Sequence, residues 1–139
     1  MSTFLLKTEP SEYSLDDLEK EQRCVWSGVS AAPALIHLRA MKKGDTAFLY
    51  HTGSEKAVVG TVMIVSAPYP DPSKNDPKLV VVDIAFRSRL DRPVTLAEIK
   101  ATASLKSMPL VRIGRLSVMP VSPKEAETIV AMSKKAKKS

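Results

Sequence analysis

Aromatic side chains are scarce in this chain: three Phe, three Tyr and a single Trp among 139 residues. Cysteine is scarcer. Cys24 stands alone, which excludes an intrachain disulfide framework or a cysteine zinc site and fits a reducing, cytoplasmic setting. No apolar run approaches the roughly 20 residues needed to cross a bilayer, and no basic stretch leads into a long apolar core as in a signal peptide. Gly28, Gly44, Gly53, Gly60 and Gly114 are too dispersed to cradle a dinucleotide or a phosphate. His37 and His51 lack acids at metal-ligand spacing, so neither a metal nor a cofactor is expected. These absences point away from an enzyme and away from a membrane protein.

What is present describes one ordinary soluble domain. Of the residues, 44% are apolar and 26% charged, and the length suffices for a self-contained core. The net charge of +6 is unevenly placed. Lys134, Lys135, Lys137 and Lys138 fall in an acid-free C-terminus, and without them 17 basic residues face 15 acidic ones. The folded body, residues 1–133, is therefore nearly neutral. Residues 134–139 read as a disordered basic tail that supplies sequence-independent phosphate affinity.

Periodicity and punctuation give a mixed α/β chain. A first strand covers residues 3–7 and ends at Pro10. Ser14 with Asp17 has the pattern of a helix N-cap, with the helix running to Glu21. Pro33 opens a second helix that Gly44 ends after Lys42 and Lys43. Strands follow at residues 46–50, 57–65 and 79–86. Thr52-Gly53-Ser54 makes the first two a hairpin. Residues 58–65 are so continuously apolar that both strand faces must be covered. The proline-rich residues 68–78 form a surface loop unable to join a ladder. A short helix spans 96–101, an edge strand 116–121, and Pro123 opens a last helix reaching Ser133.

Three short segments carry the polar and aromatic groups suited to recognition. They are Lys7-Thr8-Glu9-Pro10, Trp26-Ser27-Gly28-Val29, and Phe48-Leu49-Tyr50-His51. If the fold joins them, they line a pocket for a planar, hydrogen-bonding ligand. Alternation within a strand opposes this for Tyr50 and His51, which point to opposite faces unless the strand end is bulged. Trp26 admits two roles, core ring or partly exposed pocket wall. Cys24 reads as a half-buried structural thiol and His37 as a structural histidine. Asp83 reads as facing water or accepting a backbone hydrogen bond.

The same segments resemble successive signatures of the EVE domain family. Phe4-Leu5-Leu6-Lys7-Thr8-Glu9-Pro10 comes first, then Val25-Trp26-Ser27-Gly28-Val29. Leu38 to Asp45, Phe48-Leu49-Tyr50-His51-Thr52, Ala67-Pro68-Tyr69-Pro70-Asp71, Val81-Val82-Asp83-Ile84 and Arg115 to Val121 follow in order. The resemblance spans residues 3–133. It implies a PUA-like fold, a strongly curved β-barrel flanked by short helices, acting as a monomeric, non-enzymatic reader of modified bases in DNA or RNA. It further implies that Trp26 walls the base, Thr8, Ser27 and their backbone meet its polar edge, Tyr50 and His51 complete the pocket, and Lys7 lies at its rim. Glu9, Gly28 and Val29 belong to the same motifs, and Arg39 and Lys42 would contact phosphates. The chain departs from the family after Val29. Two expected Arg-Asn pairs are replaced by Ser30-Ala31 and Leu35-Ile36, which leaves a free nucleobase or another small planar molecule as the alternative ligand.

Overall fold

A computed structural model describes residues 2–135. Its elements follow the local chemistry of the chain. β1 (Thr3–Thr8) leads into α1 (Leu15–Glu21), whose Ser14 cap and Asp17 satisfy each other's backbone amides in a capping box. β2 (Arg23–Trp26) and α2 (Ala32–Arg39) come next, then the hairpin of β3 (Thr46–His51) and β4 (Ala57–Ile64). β5 (Tyr69–Pro70) precedes the long β6 (Val80–Thr95) and α3 (Leu96–Lys100). A 3-10 turn (Ala103–Leu105), α4 (Pro109–Arg112), β7 (Val118–Val121) and α5 (Pro123–Ser133) complete the chain.

The seven strands form one sheet in the order β2-β6-β4-β3-β1-β7, with β5 attached to β6. β1 and β3 pair in parallel and every other pairing is antiparallel. β4 is central, as its apolar run requires, and Val58, Val62 and Ile64 are fully buried. The expected barrel is corrected in one respect. Among the described residues no ladder joins β2 to β7, so the sheet stays open. Among the described residues β2 pairs through its four residues with β6 alone, and α2 packs against both β6 and β7.

Four boundaries also differ from expectation. Residues 23–26, where no element was expected, are a strand, with Trp26 turned inward while Val25 is exposed. α2 stops at Arg39, and Gly44 serves a later turn at φ +97°. β6 continues through the polar residues 87–92, because an exposed edge tolerates charges that an apolar pattern does not reveal. In the proline loop, Tyr69 and Pro70 pair with Val81 and Val80, while Asp83 accepts the Tyr69 hydroxyl at 2.6 Å. Of the basic tail, Lys134 caps α5 and the Lys135 carbonyl accepts from Arg92 at 2.6 Å, so these two residues are held. Residues 136–139, where the remaining tail expectation falls, lie outside the described residues.

The end of β6 is fastened to α3 by charge. Arg92 grips both oxygens of Glu98 at 2.9 Å, and Glu98 also accepts from the backbone and hydroxyl of Thr95. Arg92, above all, holds the Glu98 carboxyl at a pKa of about 2, below its ordinary 4.5. A depressed carboxylate stabilises the fold above its unfolded pKa and loses that contribution as pH falls towards the folded value. Glu98→Gln is therefore expected to cost about 1–3 kcal/mol at pH 7. That difference should shrink between pH 4.5 and about 2, read from urea unfolding at several pH values.

Candidate nucleic-acid interface

The open seam of the sheet is where the candidate site lies. The sheet curls until β2 faces β1 and the segment entering β7, and a cavity of about 430 Å³ opens between them. Lys7, Thr8 and Glu9 reach it from the end of β1, Trp26, Ser27, Gly28 and Val29 from the end of β2, and Ser117 from the approach to β7. Ser117 is drawn in because its carbonyl accepts from the Lys7 amide at 3.0 Å.

Trp26 forms the back wall. It is only 8% exposed and belongs to the core cluster while also lining the cavity, so of its two expected roles it has the burial of a core ring and the position of a wall. Tyr13 meets it edge-on, with centroids 6.3 Å apart and planes at 75°, a favoured aromatic geometry. The Tyr13 hydroxyl donates to Glu21 at 2.5 Å, and its carbonyl accepts from the Thr8 hydroxyl at 2.7 Å. Burial first, then the bond to Glu21, pushes the Tyr13 phenol well above its ordinary pKa, so this ring stays neutral. Cys24 lines the cavity too, half-buried, and burial raises its pKa, which makes it a poor nucleophile.

The floor and rim are polar. Glu9 accepts from Thr52 and Ser11, each at 3.0 Å, and those bonds, led by Thr52, keep its carboxyl below the usual range. Gly53 makes room for this arrangement, since a Cβ there would stand 2.8 Å from a Glu9 oxygen. Lys7 Nζ donates to the Gly114 carbonyl at 3.0 Å and sits 5.7 Å from the Tyr50 ring centroid; burial lowers its pKa. Gly28 turns the chain at φ +84° with open space where a Cβ would be. That conformation suits glycine, and it leaves the backbone open to a ligand.

Tyr50 and His51 do not reach this cavity. Tyr50 is buried and borders a separate hollow of about 180 Å³ behind Lys7. His51 lies in the interior, where Nε2 accepts the first amide of α1, that of Leu15, at 3.1 Å. Its Nδ1 faces Glu55 at 2.8 Å. A register shift does occur beside Tyr50, but the extra residue is Val59 on β4, so neither side chain is re-aimed. Arg39 and Lys42 are exposed and outside the cavity, with Arg39 donating to the Lys78 carbonyl at 2.6 Å. Conversely, Glu12, Tyr13, Cys24, Val25 and Ser117 line the cavity without having been foreseen. Tyr13 alone left a trace in the sequence, as an aromatic ring directly before a helix cap.

Among the described residues no group of three His, Cys, Asp or Glu side chains is placed to hold a metal, and no helix is long and apolar enough to cross a membrane. The family model of the EVE domain matches residues 2–132. The chain belongs to the EVE domain family. Human thymocyte nuclear protein 1 is 33% identical over 96% of this chain and 75% of its own length. Protein Atu2648 of Agrobacterium tumefaciens superposes with a TM-score of 0.92 at 34% identity, covering 99% and 97% of the two chains. Human THYN1, in a crystal structure with DNA containing 5-methylcytosine, superposes with a TM-score of 0.90 at 30% identity. That match covers 99% of this chain and all of the other. The EVE fold is PUA-like, as expected, with the seam between β2 and β7 left open.

Proposed function

We propose that this EVE domain reads DNA carrying a modified cytosine by taking one unstacked base into the cavity beside Trp26. One observation carries the reading. The cavity has an aromatic wall and a polar rim, and it occurs in a chain whose fold matches a protein solved with 5-methylcytosine DNA. A base must leave its stack before its edges can be read in such a cavity. Trp26 stacks on the base while Tyr13 keeps that ring in place. The exocyclic amine of cytosine donates hydrogen bonds, and Glu9 and Glu12 offer carboxylates at the rim. The hydroxyls of Thr8, Ser27 and Ser117 and the backbone at Gly28 and Val29 serve the remaining polar edge. Lys7, Arg39 and Lys42 face phosphates. The domain acts as a monomer in a reducing, cytoplasmic setting. It binds without catalysis, and His51, the imidazole of the recognition motifs, is committed to Leu15 and Glu55.

A second reading rests on Ser30-Ala31 and Leu35-Ile36. Leu35 is buried and Ile36 is 62% exposed, so an apolar side chain stands on the open face of α2 where the family resemblance implies a polar one. Under that reading the ligand is a free nucleobase. One titration series separates the two: single-stranded DNA and RNA oligonucleotides with one cytosine modified or not, and free bases, followed by Trp26 fluorescence. DNA reading requires tighter binding of the modified DNA strand and a salt dependence. Salt-insensitive binding of free bases, with no preference among strands, would establish the alternative.

The same titration tests the tail. A chain ending at Ser133 should bind any oligonucleotide more weakly, its salt slope falling by about 0.7 for each phosphate that the tail no longer neutralises on a single strand. Preference for the modified base should persist, and its disappearance would move specificity out of the cavity.

A further inference from the structure

A second cavity lies at the opposite end of the sheet from the Trp26 cleft. Thr3 and Thr46 are paired where β1 and β3 begin, about 16 Å from Thr8 at the spacing of an extended strand. They border a hollow of about 480 Å³ between the sheet and α5, with Ala47, Phe48 and Val130 supplying apolar surface. A neighbouring hollow of about 530 Å³ shares Thr61, Arg87, Val130 and Lys134 with it. The two therefore make one trough. Each volume falls in the range of small-molecule sites.

Arg87 has an unusual station in this trough. Phe86 pairs with Val62 and Ser88 with Thr61, so Arg87 opposes no residue of β4 and forms a bulge. Bulges redirect side chains and occur preferentially beside binding sites. The charge relations of β6 set Arg87 apart as well. Arg89 pairs with Asp16 and Glu19, and Arg92 with Glu98. Among the described residues Arg87 takes no carboxylate, and neither does Lys134 across the trough at the C-cap of α5. Glu127 and Asp91 also border it, neither within ion-pair distance of these two cations among the described residues. Thr61 and Ser88 share one hydrogen bond at 2.7 Å on the floor, which leaves further capacity on both hydroxyls.

We propose that this trough is a second ligand site, for a small anion with an apolar body, such as an aryl phosphate or aryl carboxylate. Arg87 and Lys134 hold the anionic head, Thr61 and Ser88 hydrogen-bond it, and Phe48 and Val130 cover the body. An anion there meets two cations that form no ion pair among the described residues, beside apolar surface that water solvates poorly. The site is independent of the base-reading cleft and stands or falls without it.

The test is a nitrogen-15 NMR titration of the full chain with phenyl phosphate, benzyl alcohol and inorganic phosphate as separate probes. Phenyl phosphate is expected to give saturable shifts at residues 46–48, 61, 87–88 and 130–134, leaving residues 7–9 and 26–29 unmoved. Benzyl alcohol, lacking the charge, and inorganic phosphate, lacking the body, should each bind at least about tenfold more weakly, or about 1.4 kcal/mol. Arg87→Ala and Lys134→Ala remove exposed side chains, so both should keep the wild-type melting temperature and weaken phenyl phosphate at least about fivefold. Shifts confined to the Trp26 cleft, wild-type affinity in both variants, equal binding of inorganic phosphate, or shifts at the trough produced only by an oligonucleotide would each overturn the proposal.

Discussion

Trp26→Ala is expected to do two things at once: lower the melting temperature by on the order of 10–20 °C and remove discrimination between modified and unmodified bases. The first effect follows from position. Trp26 is 8% exposed, inside the core cluster, and braced by Tyr13. Truncating such a ring typically costs about 3–5 kcal/mol. The second effect follows from the cavity wall it forms. Stacking of a base on an aromatic ring contributes about 1–3 kcal/mol, or roughly 5- to 150-fold in affinity.

Because both effects sit in one side chain, the measurement must be made on the folded fraction. Thermal melting gives the loss of stability, and titration well below the variant's melting temperature gives the loss of affinity. Trp26→Phe supplies a second point, since it keeps an aromatic face while removing about a third of the ring system. It should retain a preference for the modified base that alanine loses. Unchanged affinity in folded Trp26→Ala would leave the residue a core ring only, and the base-reading assignment of the cleft would fail.

The chain announces its architecture better than its site, for physical reasons that particular residues expose. Ser14 and Pro123 mark helix starts with strong local chemistry, and both helices begin where that chemistry places them. The continuous apolar run of β4 specifies a covered strand, and the sheet order makes it central. β2 was not legible, because four residues with one inward tryptophan carry too little alternation to register as a strand. The motifs around Lys7 and Trp26 do meet at one cleft and supply seven of its twelve lining residues. They could not reveal that the sheet stays open there, which is a property of its edges. Nor could they show that His51 had been taken by the first amide of α1, since a buried histidine accepting a helix amide looks, in sequence, like any other histidine beside an aromatic. Ser117 entered the cleft through its long-range backbone bond to Lys7, which leaves no local pattern, whereas Tyr13 is held there by the Thr8 hydroxyl only five residues away.

Replacement of Val62 by lysine should be among the most damaging substitutions available to this chain, and replacement of its neighbour Met63 by lysine among the mildest. Val62 is fully buried in β4, paired with Ala47 on one side and Phe86 on the other. A charge there has neither water nor a counter-ion, and an isolated buried charge costs several kcal/mol even after the group neutralises. That is a large fraction of the roughly 5–15 kcal/mol by which domains are stable, so much of the variant should be unfolded at 25 °C. Met63 is 38% exposed because successive side chains on a strand take opposite faces. Its replacement by lysine should stay within about 0.5 kcal/mol of the parent. Urea unfolding of the two variants side by side reads the difference directly, and native-state hydrogen exchange of the parent gives an independent measure. The amides of residues 58–64 should exchange only through global unfolding, while those of the exposed residues 72–78, whose few bonds are local to the loop, exchange far faster through local opening. Equal stability of the two lysine variants, or equal protection of the two segments, would show that β4 is not the covered centre of the sheet.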